Sequence, residues 1–188
     1  IDVDCFGANT GMMSISAMGG TPPYTYQINS AGYQVGTNFN NLGPGSYMIN
    51  IRDANLCIET IGPFVINQPA SPVGISLVSK INAGCNGTLG ELNVIGNGGT
   101  PPYQYRVDGG PLQMGGLFNG LTPGTYVAEV VDANGCTESI PVEVFELTDP
   151  NAVLDSLKAV SCFGGSDGVI GVTLAGGQSP YFTSIDGG

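Results

Sequence analysis

The chemistry-bearing residues of this chain are its cysteines and the aspartates beside them. Five cysteines stand at Cys5, Cys57, Cys85, Cys136 and Cys162. Two chemistries suit such a set. Thiolates can hold a soft metal, or they can pair as disulfides. The chain has no histidine and no C-x-x-C spacing, so a zinc site lacks its usual ligand pattern. The separations 57 − 5 = 52 and 136 − 85 = 51 are nearly equal, which favours disulfides Cys5–Cys57 and Cys85–Cys136. A bridge closing a loop of that length contributes roughly 4 kcal/mol in the chain-entropy model. Such bonds persist outside the cytosol. Cys162 is left over, and its expected partner lies beyond Gly188.

Just before two of these cysteines stand Asp53-Ala54-Asn55 and Asp132-Ala133-Asn134. Two oxygen-bearing side chains at i and i+2 are the style of ligand calcium takes. The same pattern is ordinary turn chemistry, in which the carboxylate binds nearby backbone amides. Two ligands are too few for a calcium loop, so the turn is the preferred reading. Asp53, Asn55, Asp132 and Asn134 stand as the calcium alternative, and no other cofactor is implied. Ser156, in Asp155-Ser156-Leu157, fits a short O-glycosylation pattern that also arises by chance. Without histidine, neither a Ser-His-Asp nor a Cys-His arrangement can be built. The aspartates recur in turns, whereas an active site is usually unique. No enzyme activity is expected.

The elements that must position these residues are repeated. Residues 19–28 read GGTPPYTYQI, residues 98–107 read GGTPPYQYRV, and residues 176–185 read GGQSPYFTSI. NLGPGSYMINIRDANLC at 41–57 returns as GLTPGTYVAEVVDANGC at 120–136, an offset of 79 (120 − 41). CFGANTG, CNGTLG and CFGGSDG open the three copies at Cys5, Cys85 and Cys162. Repeats of about 79 residues therefore divide the chain at 1–69, 70–149 and 150–188. The first copy's start is open, and the third is only a first half. The chain reads as an interior piece of a longer protein.

Within each copy, apolar residues alternate. Met13, Ile15 and Ala17 match Leu92, Val94 and Gly96, then Ile170, Val172 and Leu174. Tyr24, Tyr26 and Ile28 match Tyr103, Tyr105 and Val107; Tyr47, Ile49 and Ile51 match Tyr126, Ala128 and Val130. Period-two alternation predicts half-buried strands. The only helical candidate, Ala152–Ala159, fits a strand as well. Short strands at such spacing predict an all-β chain of tandem immunoglobulin-like (fibronectin III-like) antiparallel β-sandwiches. Gly-Gly-x-Pro-Pro-Tyr reads as a corner: the glycines admit positive φ, and the prolines cannot donate ladder hydrogen bonds. Tyr47 and Tyr126 are placed to bond back to upstream backbone, as tyrosines at sandwich corners do.

Composition excludes some partners. The net charge is −11, with 4 Lys+Arg against 15 Asp+Glu, so the basic footprint of a nucleic-acid binder is absent. No apolar run approaches the length of a membrane span.

Taken in order, C-F-G-G-x-x-G, G-G-x-P-P-Y-x-Y, the D-G-G turn, L-x-P-G-x-Y and D-x-N-G-C resemble the SprB-type repeat. Copy two departs at Asn86 and copy three at Gln178-Ser179. The resemblance implies a structural segment of a long, filamentous, cell-surface adhesin of Bacteroidetes, exported by type IX secretion and carried by the gliding machinery. It implies an extracellular location. Its partners would be neighbouring copies, other chains of a fibre, and surface glycans or substratum reached through parts outside this stretch. The role would be a disulfide-stapled stalk. The alternative is a carbohydrate-binding module in a secreted protein or enzyme, with Tyr33 and Phe39 stacking on sugars.

Overall fold

The computed structural model describes residues 1–177 and 179–185, with Asn86 described by its backbone alone. Gln178 therefore lies outside the described residues. The chain is nearly all β, in several antiparallel sheets. Among the described residues, thirteen strands run in order: β1 Gly11–Ser14, β2 Thr25–Ile28, β3 Asn38–Leu42, β4 Gly45–Arg52, β5 Ile58–Ile66, β6 Gly74–Ile81, β7 Gly90–Asn97, β8 Gln104–Val107, β9 Leu117–Leu121, β10 Gly124–Val131, β11 Thr137–Val144, β12 Asn151–Lys158 and β13 Val169–Ala175. A 3-10 turn, Cys85–Gly87, interrupts them. The ambiguous segment near Ala152 is a strand, as its Val-Leu alternation allows. Among the described residues, no helix is long and apolar enough to cross a membrane.

The repeat is visible in the pairing. β2-β4-β5 and β8-β10-β11 are three-stranded sheets of the same order. β1 pairs with β3 as β7 pairs with β9, and β6 lies on the outer edge of β7. β12 pairs with β13 in the register Leu154↔Val172 and Leu157↔Ile170. In copy one, β1–β3 and β2–β4–β5 contribute to one buried cluster. Tyr26, Phe39 and Ile49 are buried at the centre, with Met13, Ile15, Tyr24, Ile51 and Ile61 packed around them. Period two explains this: Tyr26 faces Ile51 across the β2–β4 ladder, and Ile49 faces Ile61 across β4–β5. Copy two buries the matching Leu92, Val94, Tyr105, Ala128 and Val130.

The chain divides into two compact units. One comprises Ile1–Ser76, Val94–Gly116 and Val127–Ile140; the other comprises Leu77–Asn93, Leu117–Tyr126 and Pro141–Gly188. Within the first, the segment before Cys5 runs beside the end of β5. Val3 N–H donates to the Asn67 carbonyl at 2.9 Å, and Gly7 N–H to Gln68 Oε1 at 2.8 Å. Within the second, Ala83 pairs in parallel with Glu146, just past the end of β11.

The corners are closed by their own tyrosines. Tyr103 Oη donates to the Gly98 carbonyl at 2.5 Å, and Tyr24 and Tyr181 do the same to Gly19 and Gly176. Gly98 and Gly99 have φ of 63° and 54°. A Cβ on Gly98 would stand 2.0 Å from the Pro72 carbonyl oxygen, so no side chain fits. Tyr47 and Tyr126 bond back to the upstream Gly43 and Thr122 carbonyls at 2.9 and 2.8 Å.

Candidate functional site

The aspartates and cysteines singled out by the sequence come together in one recurring turn. In copy one, Asp53 Oδ1 accepts the N–H groups of Asn55 and Cys57, both at 2.9 Å. Its Oδ2 accepts Thr21 N–H at 3.1 Å, and Asn55 Nδ2 donates to Thr21 Oγ1 at 2.9 Å. In copy two, Asp132 Oδ1 accepts Asn134 N–H and Cys136 N–H, and Oδ2 accepts Thr100 N–H, all at 2.9 Å. Asn134 Nδ2 donates to Thr100 Oγ1 at 3.1 Å. The turn thus clamps onto the Thr of the Gly-Gly-Thr-Pro-Pro corner. One carboxylate satisfies three backbone donors that a tight turn would otherwise leave unpaired.

These bonds bear on the calcium alternative. The Asp53 and Asp132 oxygens point at backbone N–H groups, and the two asparagines present their amide N–H groups to threonine. Among the described residues, no three His, Cys, Asp or Glu side chains gather as a metal would require. The Thr21 N–H bond above all, then those of Cys57 and Asn55, holds the Asp53 carboxyl below its ordinary range, against the opposing effect of burial.

The cysteine pairing differs from the expected one. Cys5 bonds to Cys136, across 131 residues, with Cα atoms 5.7 Å apart. Cys57, Cys85 and Cys162 are free thiols. Neither Cys5–Cys57 nor Cys85–Cys136 forms, and the reason is the length of a strand. Cys5 lies by Asn67 and Gln68, beyond the end of β5, whereas Cys57 immediately precedes that strand. Nine residues of β5 at ~3.3 Å each separate the two levels by about 30 Å. A disulfide spans Cα atoms no more than about 7 Å apart. In copy two, β11 intervenes likewise between Cys136 and Leu147, whose carbonyl the Cys85 thiol meets at 3.3 Å. The equal separations carried no pairing information, since any pattern repeated every copy produces them.

The bond joins copy one's opening loop to copy two's closing turn. Asn134 Nδ2 also donates to the Asp4 carbonyl at 2.8 Å, so the same turn holds the loop noncovalently. Asp132 is 5% exposed, and Cys136 is 9% exposed. A shallow groove lined by Phe6, Pro72, Val73 and Glu138 flanks the sulfurs.

The other candidates are placed as follows. Ser156 lies exposed on β12, opposite Gly171. Phe39 is core, opposite Met13 on β1, so it offers no sugar-stacking face; Tyr33 instead carries the Arg52 guanidinium 4.0 Å from its ring centroid. The Cys85 thiol is pushed up by its hydrogen bond to Asp149, by burial and by the negative charge of that carboxylate.

A family model described as the SprB repeat matches residues 2–32 and 156–188. Two segments of the chain are thus similar to the SprB repeat. No curated protein matches it, and no solved structure does. Each matched SprB segment includes an opening cysteine loop and the following Gly-Gly corner. SprB repeats form a structural adhesin-type family of cell-surface proteins of Bacteroidetes, not an enzyme family.

Proposed function

We propose that this chain is a load-bearing stretch of a long, secreted, filamentous adhesin of gliding Bacteroidetes. Its modules are immunoglobulin-like sandwiches divided near residues 70 and 150, and they serve as a stalk. The observation that carries this reading is the Cys5–Cys136 bond. It links the start of one copy to the end of the next, so tension applied to the chain crosses 131 residues through a covalent shunt. The parallel bridge of Ala83 and Glu146 adds two backbone hydrogen bonds, Ala83 N–H to the Phe145 carbonyl and Leu147 N–H to the Ala83 carbonyl, that pulling along the chain loads together. Neighbouring copies and other chains of the fibre are the partners; glycan or substratum contact belongs to other parts of the adhesin. The role uses no cofactor, because the turn carboxylates are already occupied by backbone amides.

Single-molecule pulling on the ends of the chain tests this. Under oxidising conditions the segment between Cys5 and Cys136 stays locked. Adding a reductant should lengthen the fully unfolded chain by ~450 Å, the extended contour of that segment. Equal contour lengths with and without reductant would refute the shunt.

A further inference from the structure

We propose that the disulfide register runs from copy to copy: the groove at Cys85 receives the closing Asp-x-Asn-x-Cys turn of copy three, and Cys85 bonds to its cysteine. This deepens the stalk reading and rests on it only for its purpose.

The observed bond states a rule, in which the opening cysteine of one copy joins the closing cysteine of the next. Applied to the free thiols, the rule accounts for all three. The partner of Cys57 would be the opening cysteine of a preceding copy. The partner of Cys85 would close copy three, and that of Cys162 would close a fourth. None of these positions falls within residues 1–188, and these are the three cysteines left unpaired. A bond confined to one copy would have paired four of the five.

The surroundings of Cys85 supply the second observation. The closing turn of copy two docks on its own corner through Thr100, and that corner is seated on its linker by Gly99 N–H donating to the Ser71 carbonyl at 3.1 Å. Copy three repeats the seating: Gly177 N–H donates to the Thr148 carbonyl at 2.8 Å. Its corner residues Gly177, Pro180 and Tyr181 line a groove of about 380 Å³ together with Cys85, Leu147 and Pro150. The platform that receives a closing turn therefore already stands beside the Cys85 sulfur. At the equivalent place in copy two, Asp132 Oδ2 lies 2.5 Å from a Cβ built on Gly99; the three atoms nearest the matching position on Gly177 all belong to Pro150. The groove thus has the place of the turn.

The bond forms by thiol–disulfide exchange. A disulfide of the extracytoplasmic oxidising system accepts two electrons and two protons from the two thiols, leaves as a dithiol, and one S–S bond remains.

The test uses the present chain and a natural chain lengthened through the end of copy three, both exported to an oxidising compartment. Non-reducing peptide mapping should find Cys5–Cys136 in both. In the longer chain Cys85 should be linked to the closing cysteine of copy three, at a separation close to that of Cys5 from Cys136. Alkylation of Cys85 should then fall about tenfold or more. Cys85→Ser should expose the new cysteine to alkylation, whereas Cys57→Ser should leave it bonded. Cys85 alkylated in the longer chain, or mapped to Cys57, to Cys136 or to another chain, overturns the proposal. These chemical readouts are independent of force, so the register can stand if the pulling experiment fails, and the reverse.

Discussion

Asp53-Ala54-Asn55-Leu56-Cys57 and Asp132-Ala133-Asn134-Gly135-Cys136 fold into the same turn on the same corner, yet one cysteine is an exposed thiol and the other a buried disulfide. The turn needs only its own aspartate, its own corner threonine and the residues between aspartate and cysteine. The bond needs a loop from the neighbouring copy. Copies one and two thus separate a locally encoded structure from its use. β12–β13 makes the same point in a different element. It holds its pairing, as β6–β7 does, but Ile170 and Val172 of β13 are exposed, whereas the matching Leu92 and Val94 of β7 are buried. Strand pairing is local to the hairpin; a core requires a second sheet.

Substitutions at matched positions put this contrast at risk. The largest difference should come at the cysteines. Cys136→Ser opens the long loop closed by Cys5–Cys136. It should remove about 5 kcal/mol, the loop-closure term for a loop of that size. Cys57→Ser, at an exposed free thiol, should change stability by less than about 0.5 kcal/mol. Denaturant unfolding of both variants measures this, and equal losses would mean the bond does not act in solution. Next come the aspartates. Asp132→Ala leaves buried N–H donors unpaired and should cost about 4 kcal/mol. Asp53→Ala should cost less, because water reaches its donors.

The corner glycines should differ less. Gly19 and Gly98 share positive φ, 78° and 63°, but a Cβ on Gly19 meets open space and one on Gly98 meets the Pro72 carbonyl. Gly98→Ala should cost about 2 kcal/mol more than Gly19→Ala by thermal unfolding. Acid gives a smaller effect. The carboxyls of Asp2, Asp53 and Asp167 are lowered in the fold, chiefly by backbone N–H bonds from Asn67, Thr21 and Ser161. A lowered folded pKa stabilises above the unfolded value of 3.8 and is lost as pH falls through the folded value, so Tm should decline below about pH 4. Asp53→Asn should flatten part of that decline. Smallest of all, a chelator should leave Tm unchanged; a fall would restore calcium at Asp53 and Asp132.

Much of this was legible in the sequence because it is local. Alternation placed Tyr26, Ile49, Leu92 and Val130 inside, and Gly-Gly-x-Pro-Pro marked the corners. Asp-Ala-Asn was a turn because its carboxylate reaches amides two and four residues on. Less legible was the corner tyrosine hydroxyl, five residues from the carbonyl it meets; its recurrence after Gly-Gly in three copies was the available signal. Phe39 read as a surface aromatic because its strand is short and flanked by asparagines, and only its position opposite Met13 shows it as core.

What the residues determined alone was the copy, its strands and its turns, all set by contacts within a few positions. The tertiary structure decided the connection between copies. A strand of nine residues carries the chain from one end of a module to the other, so a copy's two cysteines stand too far apart to meet, and Cys5 bonds instead to Cys136 of the next copy. A periodic sequence cannot express that choice, because pairing within copies and pairing between them have the same period.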